Sequence, residues 1–225
     1  FVSDASHELK TPLAAIRLLT DSILQTDQMD METVRDFVTD IGSEAERLSR
    51  ITEDLLRLTR LDSDLLDAPE TVEVAPVLEQ VMRMMSLLAQ EKGTELTYRM
   101  EENCRVSATK GEVHQVIYNL TDNAVKYSSK NGKVRVELRH EDHDVVLTVA
   151  DNGPGIPEED LPKVFERFYR VDKARSRAAG GTGLGLSIVQ DTVKKRGGTV
   201  SAANRPNGGA VFTVRWPEAE GGDHS

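Results

Sequence analysis

Three small sets of residues have the types and spacing for chemistry. The first is His7, with Glu8 beside it and Thr11 one helical turn on. A neutral imidazole is a nucleophile near neutral pH, because its unperturbed pKa is about 6.5. Attack on a γ-phosphate by one ring nitrogen requires the other to share or lose its proton, and a carboxylate at the Glu8 position can take it. Thr11 can orient a water. Taken alone, an exposed histidine is more often an ordinary surface residue.

The second set is Asn119 and Asn123, four apart on a predicted helix, followed by Lys126 and Tyr127. Residues at this spacing share a helix face. Asparagine carbonyls are hard oxygen ligands suited to Mg²⁺, although two such asparagines also serve as caps or surface groups. The third set is two glycine-rich turns. Asp151-Asn152-Gly153-Pro154-Gly155-Ile156 follows a predicted strand; its carboxylate can accept a bond from an exocyclic amine such as adenine's, and its glycines admit a flat ring. An ordinary turn has the same composition. Gly180-Gly181-Thr182-Gly183-Leu184-Gly185 precedes a predicted helix, where backbone N–H groups face phosphates. No Lys-Ser or Lys-Thr follows it, and its spacing differs from the dinucleotide fingerprint.

Between the glycine turns, residues 162–177 carry Lys163, Arg167, Arg170, Lys173, Arg175 and Arg177 against Glu166 and Asp172. Phe165, Phe168 and Tyr169 lie in the same stretch. A basic, aromatic lid that neutralises triphosphate charge fits this composition.

The elements that position these groups are legible from periodicity. Leu9, Leu13, Ile16 and Ile23, then Val34, Phe37, Ile41, Ala45, Leu48, Ile51, Leu55 and Leu58, recur at steps of three, four and seven. This spacing predicts two helices with one apolar seam each, joined at Gln25–Asp30 with Asp30 as the cap of the second. On this register His7, Glu8 and Thr11 face away from the seam. Two such helices cannot enclose a core alone, so a homodimeric four-helix bundle through residues 1–65 is expected. Residues 62–70 break the repeat; 66–70 are assigned as a linker that lets the second domain swing. Strands at Glu95–Met100, Lys133–Arg139, Val145–Ala150, Thr199–Ala203 and Ala210–Trp216 are predicted to alternate with helices at Pro76–Glu91, Glu112–Lys126 and Leu184–Lys195. Residues 71–217 thus read as an α/β sandwich, and 218–225 as a disordered tail.

The net charge of −10 is uneven: residues 1–65 hold 14 acidic and 7 basic residues, the remainder 24 and 21. No nucleic-acid partner is expected, because phosphate contacts need a basic face. One cysteine, Cys104, excludes a disulfide framework. No apolar run reaches the roughly 18 residues of a membrane helix. The chain opens inside a helical pattern, so a longer parent is expected, attached to the cell membrane by its missing front, with this part in the cytoplasm.

The order of the motifs adds more than any one of them. Ser6-His7-Glu8-Leu9-Lys10-Thr11-Pro12-Leu13 resembles the H box of sensor histidine kinases, and Gln115-Val116-x-x-Asn119-Leu120-x-x-Asn123-Ala124-x-Lys126-Tyr127 their N box. Asp151-x-Gly153-x-Gly155-Ile156 resembles the G1 box, Phe165-x-x-Phe168-Tyr169-Arg170 the F box, and Gly181–Gly185 the G2 box, all in family order. Lys10 stands where arginine is common, and Glu112 where aspartate often precedes the N box; neither removes a reacting group.

The resemblance implies a dimerisation and phosphotransfer hairpin followed by the ATPase sandwich shared with gyrase and related chaperones. It implies His7 as phosphoacceptor, Glu8 as its base and Thr11 as a residue used in dephosphorylating a response regulator. Asn119 would ligate Mg²⁺, with Asn123 and Lys126 near the phosphates of ATP. Tyr127, Asp151 and Ile156 would meet the nucleoside, with Asp151 on adenine. Gly153, Gly155, Gly181, Gly183 and Gly185 would shape the pocket and lid hinge. Arg170 would approach the γ-phosphate, and Phe168, Thr182 and Leu184 are also implied nucleotide positions. The partner implied is the receiver domain of a response regulator. A gyrase-like ATPase without phosphotransfer, and a degenerate dimeric scaffold, remain as alternatives.

Overall fold

The computed structural model describes residues 2–26, 28–62, 67–172 and 181–219. Lys173, Arg175, Arg177 and Gly180 of the expected lid and loop, Leu66 of the predicted linker and residues 220–225 lie outside them.

Helices α1 (Val2–Gln25) and α2 (Met31–Asp62) form the expected hairpin. Asp30 begins α2 as anticipated: the Thr33 amide and hydroxyl donate to its two carboxylate oxygens at 2.8 and 2.7 Å. These bonds hold the Asp30 carboxyl below its ordinary pKa. Helix α1 runs through Pro12, whose missing N–H is tolerated within it. The Thr11 hydroxyl donates to the His7 carbonyl at 3.2 Å.

The second part contains β1 (Glu70–Glu73), α3 (Val74–Glu91), β2 (Glu95–Met100), β3 (Arg105–Ala108), α4 (Lys110–Tyr127), β4 (Lys133–Glu141), β5 (Asp144–Asp151), α5 (Gly185–Lys195), β6 (Thr199–Asn204) and β7 (Ala210–Pro217). The main sheet has strand order β2-β4-β5-β7-β6, with β2 and β4 parallel and the other pairs antiparallel. Val134, Val136 and Leu138 on β4, and Phe212, Val214 and Trp216 on β7, alternate inward. They meet Leu78, Val81 and Met85 of α3, Val116, Ile117 and Leu120 of α4, and Val189 and Val193 of α5 in one core. Removing this apolar surface from water is what joins sheet and helices. Helix α4 opens on a reciprocal capping box: the Glu112 amide donates to Thr109 Oγ1, and the Thr109 amide to Glu112 Oε2.

Strands β1 and β3 were not anticipated. They pair antiparallel as a separate two-stranded sheet. Each has four residues, so its alternation is too short to register against the background. Glu70, assigned to the linker, is the first residue of β1. The expected tail also starts too early: Glu218 donates to the His143 carbonyl and Ala219 to the Arg105 carbonyl, each at 2.9 Å, which extends pairing beyond Pro217.

The hairpin lies against the sandwich. Leu58 of α2 is 0% exposed and packs on Leu184 and Ile188, with Leu55, Leu61 and Phe168 around them. Polar contacts flank this seam. Arg167 bridges Asp62 and Asp191, Lys195 donates to the Leu61 carbonyl at 2.7 Å, and Arg196 reaches both Glu112 and the Asp67 carbonyl.

Candidate functional site: a cleft closed by helix α2

A cleft of about 540 Å³ opens between α4, the turn after β5, the segment around Tyr169 and Arg170, and the loop that leads into α5. That volume suits a drug-sized or nucleotide-sized ligand. Asn119, Asn123, Lys126, Tyr127, Asp151, Gly155, Ile156, Arg170, Gly181, Thr182, Gly183 and Gly185 all line it. These residues come from four separate motifs, and the fold brings them to one place.

Asp151 ends β5 at the floor of the cleft and is buried. Its Oδ1 accepts the amides of Gly153 at 2.7 Å and Ala210 at 3.2 Å. Burial pushes its carboxyl above the ordinary aspartate pKa, against the lowering effect of these two amides. Among the described residues Oδ2 accepts no bond, which leaves it for an amine on a ligand. Gly153 does not face the cleft; it lies under it. A Cβ there would come within 2.3 Å of the Tyr127 carbonyl, so only glycine allows this turn to press against the end of α4. Gly183 has φ +76° and backs onto the Phe168 backbone, where a Cβ would meet Cα at 3.0 Å.

Asn119 is nearly buried, and both ends of its carboxamide are held. Its Nδ2 donates to the Gly185 carbonyl at 3.0 Å, and its Oδ1 accepts from Gln115 Nε2 at 2.9 Å. The Oδ1 atom retains a second lone pair, as a hard-cation ligand requires. Lys126 pairs with Asp122 at 2.6 Å and so keeps its ammonium at the rim of the cleft.

His7 is exposed on α1, as the periodicity predicted. Glu8 is not free beside it. Its Oε2 accepts from Arg47 of α2 at 2.9 Å and from Arg170 at 2.7 Å. The two arginine side chains are 6% and 3% exposed, and Glu8 is 22% exposed. The same Arg170 Nη2 donates to the Thr182 carbonyl at 2.8 Å. One guanidinium therefore joins the glycine loop to the carboxylate that follows His7.

Two known families match this chain. Residues 108–220 match the histidine kinase-, DNA gyrase B- and HSP90-like ATPase family, and residues 1–64 match the His Kinase A (phospho-acceptor) domain. This chain belongs to the histidine kinase family. The sensor-like histidine kinase SenX3 of Mycolicibacterium smegmatis is 35% identical over 219 residues, 97% of this chain and 57% of that protein. The signal transduction histidine-protein kinase ArlS of Staphylococcus aureus is 34% identical over 217 residues, 95% of this chain and 48% of that protein. The chain thus spans about half the length of the relatives it matches. Among solved structures, full-length ShkA in complex with AMPPNP superposes with a TM-score of 0.70 at 29% identity, covering 96% of this chain and 45% of that one.

Two of the implied nucleotide positions sit elsewhere. Leu184 and Phe168 do not line the cleft; they pack in the seam against Leu58, because the loop turns their apolar side chains toward α2. Conversely, the sequence alone did not point to the wall that α2 contributes. Arg50, Glu53, Asp54 and Arg57 all border the cleft. The Thr182 hydroxyl donates to Asp54 Oδ2 at 2.8 Å, and Arg57 donates to Gln115 Oε1. Burial raises the pKa of the Asp54 carboxyl, with the Thr182 bond opposing it. The only sequence signal for these residues was a polar strip at steps of three and four on α2, which also describes any solvated helix face.

Proposed function

We propose that this chain is the cytoplasmic catalytic core of a sensor kinase that phosphorylates His7 from Mg-ATP and passes the phosphoryl group to an aspartate of a response regulator. Dephosphorylation of that regulator, with Thr11 orienting water, is part of the same reading. The observation that carries it is the contact of Arg170 with both the Thr182 carbonyl and Glu8, which joins the nucleotide cleft to the histidine helix.

The residues fit the nucleotide and its metal: a buried carboxylate with one uncommitted oxygen suits adenine, and a fixed carboxamide oxygen at Asn119 suits Mg²⁺. Bound Mg-ATP supplies the γ-phosphoryl group and the cation that screens its charge. The chain does the rest. His7 presents one ring nitrogen to phosphorus, and Glu8 holds the proton on the other. Arg170 Nε is buried without a hydrogen-bond partner among the described residues, which suits it to a phosphate oxygen. In the docked arrangement two guanidiniums occupy the Glu8 carboxylate. Phosphorylation requires that Arg170 leave Glu8, so the two domains must shift relative to each other.

The hairpin exposes Leu13, Leu18, Leu24, Val38 and Leu56. Leu13 was expected in the seam; in one chain it is exposed, and a second copy making a four-helix bundle would cover such side chains. The regulator's receiver domain would dock on this bundle near His7. No helix among the described residues is long and apolar enough to cross a membrane; membrane attachment of the parent would come from a segment beyond this chain.

Incubation with γ-labelled ATP and Mg²⁺ tests the reading. The expected product is acid-labile, base-stable label on the parent, absent from His7→Gln, with ATP binding retained. Label that persists in His7→Gln removes the assignment, and ATP turnover without label favours a gyrase-like ATPase.

A further inference from the structure

The cleft's least expected feature is that a helix of the phosphoacceptor hairpin ends a hydrogen-bond chain leading to the proposed metal ligand. Arg57 of α2 donates to Gln115 Oε1; Gln115 Nε2 donates to Asn119 Oδ1 at 2.9 Å; Asn119 Nδ2 donates to the Gly185 carbonyl at 3.0 Å. The two ends of this chain have fixed polarity. A guanidinium can only donate, and a backbone carbonyl can only accept. Two carboxamides between them, each able to flip in isolation, are therefore forced into one orientation. Gln115 must turn its oxygen to Arg57 and its amide to Asn119. Asn119 must turn its amide to Gly185, which leaves its oxygen, with one lone pair uncommitted, as the group offered to a cation.

We propose that Arg57 is a positioning residue of the metal–nucleotide site, acting through Gln115 on Asn119, so that docking of α2 and metal-dependent nucleotide binding are coupled. The inference rests on the reading of Asn119 as the Mg²⁺ ligand. Groups that orient a metal ligand matter because the ligand must be held in place before the ion arrives, and their loss typically weakens metal binding by about 10- to 100-fold. Here the orienting group belongs to the other domain. Coupling of this kind is reciprocal: whatever factor docked α2 adds to metal–nucleotide affinity, the metal–nucleotide complex adds to docking. Asp54 reinforces the same geometry from the next turn of α2 by accepting from the Thr182 hydroxyl at 2.8 Å.

The test uses the full chain and the β,γ-imido analogue of ATP, with affinity measured calorimetrically in Mg²⁺ and again in EDTA. Arg57→Ala is expected to weaken binding in Mg²⁺ by about 10-fold and to leave binding in EDTA unchanged. Gln115→Ala, which cuts the chain at its middle, is expected to do the same, and the double variant no more than either, because both act on one interaction. Arg57→Lys, which keeps a donor, is expected to recover part of the loss. In the parent, hydrogen exchange across residues 50–61 is expected to slow with Mg²⁺ and analogue together, and less with analogue alone. Parental affinity in Mg²⁺ for Arg57→Ala overturns the inference; so does an equal loss with and without metal, which makes Arg57 a packing contact only. Tighter binding in Mg²⁺ also overturns it, since the chain would then hold Asn119 away from the ion. A parent whose affinity ignores Mg²⁺ refutes the Asn119 reading itself, and that failure shows before any variant is made.

Discussion

Leu58→Ala tests whether the seam between α2 and α5 holds the two domains together. Leu58 is fully buried, and its partners across the seam are Leu184, Ile188 and Phe168. It belongs to a small cluster separate from the main core of the sandwich. A buried Leu→Ala change costs about 2–5 kcal/mol. Because those contacts are made between domains, the loss falls on the docking equilibrium rather than on the sandwich. At 1.36 kcal/mol per tenfold, that shifts the docked-to-undocked ratio by roughly 30- to 5000-fold. The flanking ion pairs cannot compensate. Arg167 and Asp62 are partly exposed, and such surface pairs contribute about 0–1 kcal/mol. Hydrogen-exchange mass spectrometry is the assay: peptides covering residues 184–195 and 50–61 should exchange faster in the variant, while β4 and β5 keep parental protection. Undocking frees Glu8 from Arg170 but also removes Arg57 from Gln115, so labelling of His7 should accelerate at saturating Mg-ATP while the apparent affinity for Mg-ATP falls. Unchanged exchange on α5 would refute the argument, since it would mean that the seam contributes nothing to docking.

Nucleotide binding should depend on pH through Asp151. Its folded pKa is raised by burial, so it takes up a proton at a higher pH than an ordinary aspartate; affinity for ATP should fall as pH drops through that raised value, and Asp151→Asn should bind weakly with no such fall. An affinity that is flat with pH in the parent would contradict the role. His140 gives a second pH signature, on stability. Its ring contacts the Glu102 carbonyl and Glu218, and these hold its pKa above the ordinary histidine value. Its stabilising contribution is therefore complete below the unfolded pKa and is lost as pH rises through the folded one. Thermal melts of His140→Ala against the parent should converge at high pH and diverge at low pH; a constant difference would remove the linkage.

Much of this architecture is legible in the sequence. The seam of Leu9, Ile16, Ile51 and Leu58 repeats at helical spacing, Asp30 stands where a cap is needed, and the β4 and β7 alternation marks an inward face. The glycine and asparagine motifs announced a nucleotide cleft, and 12 of the implied residues line it. These signals are local: each arises from backbone geometry within a few residues of chain. What tertiary structure alone decided are contacts between distant segments. Glu8 and Arg170 lie 162 positions apart, and Thr182 and Asp54 lie 128 apart. No periodicity links such residues, because their meeting depends on how one folded unit docks on another. The same reason explains Leu184 and Phe168, whose motif suggested the nucleotide but whose apolar side chains found Leu58. It also explains Arg57, an ordinary surface arginine on a helical wheel, which only the docked position of α2 brings to Gln115.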